Sequence, residues 1–110
     1  MNPIYEFGGS GQIINLAVAN GFPPATYQPL FQPLIAAYRV LAMLPRALWQ
    51  PSTPPTELLS WKITLAPDLL NGFHEHDLHD VIAVGHSFGA IASLLAVIQA
   101  PSRFKALILL

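Results

Sequence analysis

Four short apolar runs, separated by Gly, Pro and polar residues, constrain the fold of this chain more than any other feature of its sequence. The runs are strand-sized and cover 13–19, 38–44, 81–84 and 105–110. Buried parallel strands read as continuous runs of Val, Ile, Leu and Ala, because helices cover both faces of the sheet. Strands that alternate with helical segments predict βαβ units. We therefore predict an α/β fold, a three-layer α/β/α sandwich with a mostly parallel sheet of about five strands.

Two of the intervening segments show the apolar spacing of a helix. The first is predicted to begin at Thr26 and to kink at Pro33. Its apolar stripe has the i, i+3, i+4, i+7 pattern and consists of Tyr27, Leu30, Phe31 and Leu34. The second is predicted to begin at Thr53 or Thr56 and to bend at Pro67. Its stripe consists of Leu58, Trp61, Leu65 and Leu69.

Composition excludes several classes of function. Hydrophobic residues make up 53% of the 110 residues and charged residues 10%, yet no apolar run reaches the ~18 residues that a membrane-spanning helix needs. Five Lys and Arg in a chain of net charge −1 provide no basic surface for nucleic acid. The absence of cysteine excludes disulfides, thiolate catalysis and sulfur-bound zinc. No secretory leader precedes the first run, so we expect a cytoplasmic protein.

A G-x-S-x-G pentapeptide, G-H-S-F-G, extends from Gly85 to Gly89. The buried run 81–84 precedes it, and a predicted helix over 90–100 follows it. A serine on such a strand-to-helix turn stands clear of the sheet, and the glycines allow strand and helix to approach closely. Ser87 is therefore the candidate nucleophile. The alternative is a glycine-rich turn in which the serine has no chemical role.

A second motif follows the first apolar run. The sequence N-G-F-P occupies 20–23, where a loop can supply a backbone N–H to the oxyanion of an acyl-transfer reaction. Backbone donors suit this task because they are fixed before charge develops on the substrate oxygen. We predict that the N–H groups of Phe22 and Phe88 are the two donors. The alternative is an ordinary Gly-Pro loop.

Taken in order, these features resemble the N-terminal half of the α/β-hydrolase superfamily, in its serine-nucleophile branch, over nearly the whole chain. The G-H-S-x-G form is common among its esterases, lipases and thioesterases, whereas its epoxide hydrolases and dehalogenases have an aspartate nucleophile. The resemblance implies that Ser87 attacks an ester or related small-molecule acyl substrate, that an acyl-enzyme forms, and that no cofactor takes part. Two departures stand out: Asn20 replaces the usual histidine of the loop, and 44–49 lacks the usual D-x-R-G-x-G turn.

In the superfamily the catalytic acid and histidine follow the serine in chain order, but this chain ends at Leu110. We therefore expect 1–110 to be the N-terminal part of one α/β-hydrolase domain and to be inactive as a hydrolase by itself. The apolar run 105–110 would then form an exposed sheet edge, through which the chain could self-associate. A non-catalytic binding module that kept the turn at Ser87 is the first alternative function.

Four histidines are present, and none is predicted to be the catalytic base. His74, His76 and His79 precede the strand whose far end carries Ser87, so they belong to the opposite edge of the sheet. His86 neighbours the serine, but adjacent side chains of an extended segment point to opposite sides, and we interpret it as a packing or loop-anchoring residue. The second alternative function is a metal-binding domain that uses the first three histidines.

Overall fold

A computed structural model describes residues 2–49 and 65–110. Its elements in chain order are β1 (Ile4–Gly8), β2 (Gln12–Ala17), α1 (Gln28–Phe31), β3 (Tyr38–Met43), α2 (Ala66–Glu75), β4 (Val81–Gly85), α3 (Phe88–Gln99) and β5 (Phe104–Leu109). The four predicted strands and the helix after Ser87 are present, with ends that differ by one or two residues. The helix starts predicted at Thr53 or Thr56 and the stripe residues Leu58 and Trp61 lie outside the described residues.

The five strands form one sheet in the order β1-β3-β2-β4-β5. Strand β2 is parallel to β3 and β4, and β5 is parallel to β4, whereas β1 pairs with β3 in the antiparallel direction. The sheet is therefore mixed but mostly parallel, and the predicted α/β fold is confirmed. Strand β1 was not among the four predicted runs. Its sequence, I-Y-E-F-G, has a charged residue at its centre and lies at the sheet edge, where only one side of the backbone is paired.

Each face of the sheet carries its own apolar core. One core lies beneath α1 and the turns beside it, and its buried members are Phe7, Ile14, Leu16, Val18, Tyr27, Phe31, Val40, Ala42 and Val84. The other lies beneath α2 and α3, with Leu41, Met43, Ala66, Leu69, Phe73, Leu78, Val81 and Ala96. Alternate residues of β2 and β3 point into opposite cores, as the period of a strand requires. Burial on both faces explains why these strands are mostly apolar. The buried Asn15 of β2 is an exception, and its Oδ1 accepts the Met43 N–H (2.8 Å).

The segment predicted as one helix from Thr26 is broken into short turns. The α-helical part is only Gln28–Phe31, with 3₁₀ turns at Pro24–Tyr27 and Gln32–Ala36. Pro29 and Pro33 lack the N–H groups that a continuous helix needs. The predicted stripe is half right, because Tyr27 and Phe31 are buried while Leu30 and Leu34 are exposed. The Thr26 hydroxyl does not cap the helix but donates to the carbonyl of Pro23 (2.7 Å).

Pro67 lies in the first turn of α2, where its missing N–H has no intrahelical acceptor. The segment before residue 65, on which the predicted bend at Pro67 depends, lies outside the described residues. Leu69 is buried as predicted. None of the helices in the described parts of the chain is long and apolar enough to cross a membrane.

Candidate active site

Ser87 joins the end of β4 to the start of α3 in a backbone conformation that is rare for any residue but glycine. Its φ is 54° and its ψ is −112°. Such a conformation costs about 1–3 kcal/mol and persists only where the surroundings enforce it. Here the Gly89 N–H donates to the His86 carbonyl (3.0 Å), and the Ala90 N–H donates to the Ser87 carbonyl (2.9 Å). The turn therefore holds an exposed serine at the carboxyl end of the central strands.

The two glycines of the motif are required by space. A Cβ on Gly85 would lie 2.5 Å from the Cα of Ala90, and a Cβ on Gly89 would lie 2.0 Å from the carbonyl oxygen of Ala17. Both contacts are with backbone atoms, which cannot move aside as the end of a flexible side chain could. The spacing of the motif thus follows from the packing of α3 against β2 and β4.

Backbone hydrogen bonds attach the turn to strands on both sides. The His86 N–H donates to the carbonyl of Ala17 at the end of β2 (3.0 Å). On the other side, the Leu110 N–H donates to Gly85 (2.8 Å), and the Ser87 N–H donates to Leu110 (3.3 Å). The position of Ser87 is therefore set by the ends of three adjacent strands.

The loop after β2 makes a tight turn close to Ser87 in the fold. The Phe22 N–H donates to the carbonyl of Ala19 (3.1 Å), and Gly21 between them has a φ of 80°. No atom lies within 4 Å of a Cβ built on Gly21, so glycine is needed here for its conformation alone. Phe22, a predicted oxyanion donor, thus has its N–H engaged within the turn. Phe88 is the first residue of α3, where backbone N–H groups point out of the helix end.

The side chain of His86 faces the same turn. Its Nδ1 lies 2.8 Å from the hydroxyl oxygen of Tyr27, which also accepts the N–H of Ala19 (3.0 Å). This is the contact that a loop-anchoring histidine would make. Sequence reasoning identified Tyr27 only as an apolar stripe residue, because nothing in the local pattern shows that its hydroxyl reaches a residue 59 positions away.

A small pocket of about 40 Å³, open to solvent, lies beside the turn. Its walls come from the ends of β2 and β3, from α2, and from Phe88 and Gly89 at the start of α3. On its polar side the Arg46 guanidinium donates to both carboxylate oxygens of Asp68, at 2.9 Å from Nε and 2.5 Å from Nη2. Sequence reasoning noted Arg46 only as a departure from the family turn. A two-pronged ion pair supports this wall of the pocket.

The other three histidines precede β4, whereas Ser87 follows its end. His76 Nε2 lies 2.6 Å from the carbonyl of Asn2, and His79 Nε2 lies 2.7 Å from the carboxylate of Asp77. His74 is exposed in the last turn of α2. Within 2–49 and 65–110, no three His, Asp or Glu side chains are arranged to hold a metal ion. The described residues therefore give no support to the metal-binding alternative.

No family model matches the sequence, and no curated protein matches it either. Solved structures do match its fold. A marine microorganism esterase superposes with a TM-score of 0.86 at 18% identity, over 98% of this chain and 40% of the esterase chain. Epoxide hydrolase VrEH1 from Vigna radiata gives 0.84 at 17% identity, over 96% and 33% of the two chains. The α/β-hydrolase MGS-MChE2, from a lagoon-sediment metagenome, gives 0.75 at 21% identity, over 96% and 46%.

These similarities are structural, since identities of this size carry information about the fold alone. The chain spans less than half the length of each of the three matched structures. The resemblance expected from the motifs is confirmed at the level of the fold: residues 2–49 and 65–110 form the N-terminal part of an α/β-hydrolase fold.

Proposed function

We propose that this chain carries the nucleophile of a serine hydrolase that acts on an ester or related small-molecule acyl substrate. The observation that carries the proposal is the conformation of Ser87, a strained and exposed non-glycine residue between two glycines that cannot accept a Cβ. Strain of this kind concentrates at functional sites. If the turn had no chemical role, a residue that adopts this backbone conformation without strain, such as glycine, could occupy the position of Ser87.

In the proposed reaction, the Ser87 Oγ adds to the substrate carbonyl while its proton passes to a general base. The tetrahedral intermediate collapses to an acyl-enzyme, and the leaving alcohol takes that proton. Water, deprotonated by the same base, then releases the acid and restores Ser87. The N–H groups of Phe88 and Phe22 would donate hydrogen bonds to the oxyanion. Phe22 can do so only if its N–H is shared with, or released from, the Ala19 carbonyl.

The base and its acidic partner are not among the residues that the structure places near Ser87. His74, His76 and His79 lie at or before the start of β4, whereas Ser87 follows its end. The Nδ1 of His86 is engaged by Tyr27. We therefore infer that the base lies outside the described residues 2–49 and 65–110. Because the acid and histidine of α/β-hydrolases follow the serine in chain order, we expect the chain alone to turn over no ester. No step of the proposed mechanism requires a cofactor.

The chain alone still permits a test, since acylation can be measured without turnover. The protein is treated with p-nitrophenyl acetate at alkaline pH in a tertiary-amine buffer, whose free base accepts the proton that the missing histidine would take. Acetylated serines are then quantified by peptide mapping. Ser10 and Ser102 are exposed and serve as internal controls. We expect Ser87 to be acetylated at least about tenfold faster, because donors placed at the oxyanion stabilise its transition state.

Two results would contradict the proposal. Equal rates at Ser87, Ser10 and Ser102 would mean that the turn has no acyl-transfer geometry, and would favour the non-catalytic binding module. An adduct that persists in the same peptide of the Ser87→Ala variant would show that another group had been acetylated. Loss of the adduct in that variant, with unchanged labelling of the two control serines, is the expected outcome.

We also propose that the 110-residue chain self-associates through the edge of its sheet. In the described part of the chain, β5 pairs only with β4, so its outer edge presents free backbone groups. Exposed apolar side chains lie on β5 and on the neighbouring α3, and they are Ile91, Leu94, Ile98, Ile108 and Leu109. An uncovered apolar edge of this kind favours strand pairing with a second copy.

Ile108→Lys is therefore expected to weaken association by at least about tenfold, because edge lysines oppose strand pairing. Leu30→Lys is the matched control, since Leu30 is 57% exposed on a different part of the surface. Sedimentation velocity over a concentration series measures both variants and the parent chain. A parent chain that stays monomeric throughout, or equal weakening by both variants, would contradict this prediction.

A further inference from the structure

Tyr27 stands between the two parts of the candidate site. The residue is 9% exposed, and its hydroxyl oxygen accepts the Ala19 N–H at 3.0 Å and lies 2.8 Å from His86 Nδ1. Ala19 opens the turn that holds Phe22, and His86 directly precedes Ser87. One hydroxyl group therefore links the loop that carries one proposed oxyanion donor to the turn that carries the nucleophile.

The direction of these hydrogen bonds follows from the donors available. The Ala19 N–H can only donate, so the Tyr27 oxygen accepts there. The Tyr27 hydroxyl hydrogen then needs an acceptor, and among the described residues its remaining contact is His86 Nδ1. An accepting Nδ1 places the proton of a neutral imidazole on Nε2. The bridge therefore runs from Ala19 through Tyr27 to His86 and fixes the tautomer of the histidine.

Ring packing reinforces the same link. The ring centroids of Tyr27 and His86 are 5.7 Å apart with an interplanar angle of 80°. The ring centroid of Phe22 lies 6.3 Å from that of His86 and 6.5 Å from that of Tyr27. These separations are typical of edge-to-face and tilted aromatic contacts. A displacement of Tyr27 would thus disturb the Phe22 turn and the Ser87 turn together.

We propose that Tyr27 is a positioning residue that fixes the separation between the Phe22 turn and the turn holding Ser87 and Phe88. This inference rests on the proposed function, because it assigns Tyr27 a role in the same acylation step. Oxyanion donors act only when they are held within about 0.5 Å of the productive geometry. The two proposed donors lie on separate loops, and Tyr27 is bonded to one loop and to the residue beside Ser87 on the other.

Tyr27→Phe tests this role by removing the bridging oxygen while keeping the ring. We expect acetylation of Ser87 to slow by about tenfold, as misplacement of reacting groups predicts, while Ser10 and Ser102 react as before. Amide exchange at Ala19 should become faster, and the ¹⁵N shifts of His86 should show a redistributed tautomer. Tyr38→Phe makes the same chemical change at the start of β3 and should alter none of these readouts.

A second pair of variants keeps the proposal testable if Tyr27→Phe fails to fold. His86→Ala removes one arm of the bridge, whereas His86→Asn places an amide oxygen near the position of Nδ1, where it can accept the Tyr27 hydroxyl hydrogen. We expect the alanine variant to slow acetylation of Ser87 and the asparagine variant to restore most of the rate. Equal rates in the two variants would overturn the positioning role.

The outcomes separate this inference from the proposed function. If Ser87 of the parent chain shows no selective acetylation, the proposed function fails, and with it the positioning role. The Ala19 exchange and His86 tautomer would then report on the hydrogen-bonded bridge alone. If Ser87 is selectively acetylated and Tyr27→Phe leaves that rate unchanged, the proposed function stands and the positioning role is overturned. Unchanged Ala19 exchange and His86 shifts in Tyr27→Phe would overturn the bridge itself.

Discussion

Gly89→Ala is expected to lower the free energy of unfolding by about 3 kcal/mol, the upper part of the range for overpacked sites. The new Cβ would lie 2.0 Å from the Ala17 carbonyl oxygen and 2.7 Å from that of Val18. Relief requires α3 to move away from β2, and this movement would open the core between them. The free energy of unfolding of small domains is itself only about 5–15 kcal/mol, so a large part of the folded population would be lost.

Urea denaturation followed by circular dichroism measures this change. Gly72→Ala is the matched control, because its Cβ would meet only the flexible Met43 side chain, with the sulfur at 2.5 Å. Alanine also favours the interior of a helix by about 1 kcal/mol relative to glycine, which offsets the cost of moving Met43. A Gly89→Ala variant as stable as Gly72→Ala would show that α3 is not held against β2 as described.

Asp68→Ala is expected to lower the free energy of unfolding by about 2–3 kcal/mol, somewhat less than the loss of a fully buried ion-pair partner. Asp68 is 9% exposed and accepts both prongs of the Arg46 guanidinium. Its removal leaves the positive charge of Arg46, whose side chain is 25% exposed, without this carboxylate. The guanidinium also lies 5.1 Å above the centre of the Trp49 ring, a contact that the substitution leaves in place.

The exposed ion pair of Glu6 and Arg39 provides the comparison. Its side chains are 46% and 35% exposed, and one carboxylate oxygen accepts both guanidinium contacts. Solvent screening limits such pairs to about 0.5 kcal/mol, so Glu6→Ala should have little effect. Similar losses in Asp68→Ala and Glu6→Ala, measured by urea denaturation under the same conditions, would contradict a special role for the pair beside the pocket.

The central part of the fold was predictable because burial on both faces dictates the residues of β2, β3 and β4. Each reads as a mostly apolar run, and the Gly85 and Gly89 spacing marks where β4 must turn into α3. Strand β1 gave no such run, since an edge strand is buried less completely and tolerates Glu6 at its centre. The helix expected from Thr26 failed for another reason: its apolar spacing was helical, but two prolines interrupt the hydrogen bonds that a helix requires.

The candidate site was predictable only in part: features formed by residues close in the sequence could be predicted, and contacts between residues far apart could not. The Ser87 turn has a local pattern because its glycines, strand and helix are adjacent in the chain. Tyr27 and His86 are 59 positions apart in the sequence, and Arg46 and Asp68 are 22 positions apart. No sequence pattern indicates that either pair is in contact. Such contacts arise from the strand order and become visible only when the sheet is assembled.

The same strand order has a consequence for how the chain folds. Strands β2 and β4 are neighbours, yet their pairing joins Ile14 to Ile82, with β3 and α2 in the intervening chain. Closing so long a loop costs chain entropy before the paired strands return any stabilisation, which makes such pairings slow to form. The Ala17 carbonyl that holds His86 in place becomes available to it only after this closure. The serine turn is therefore expected to acquire its strained geometry late in folding, after β2 has paired with β4.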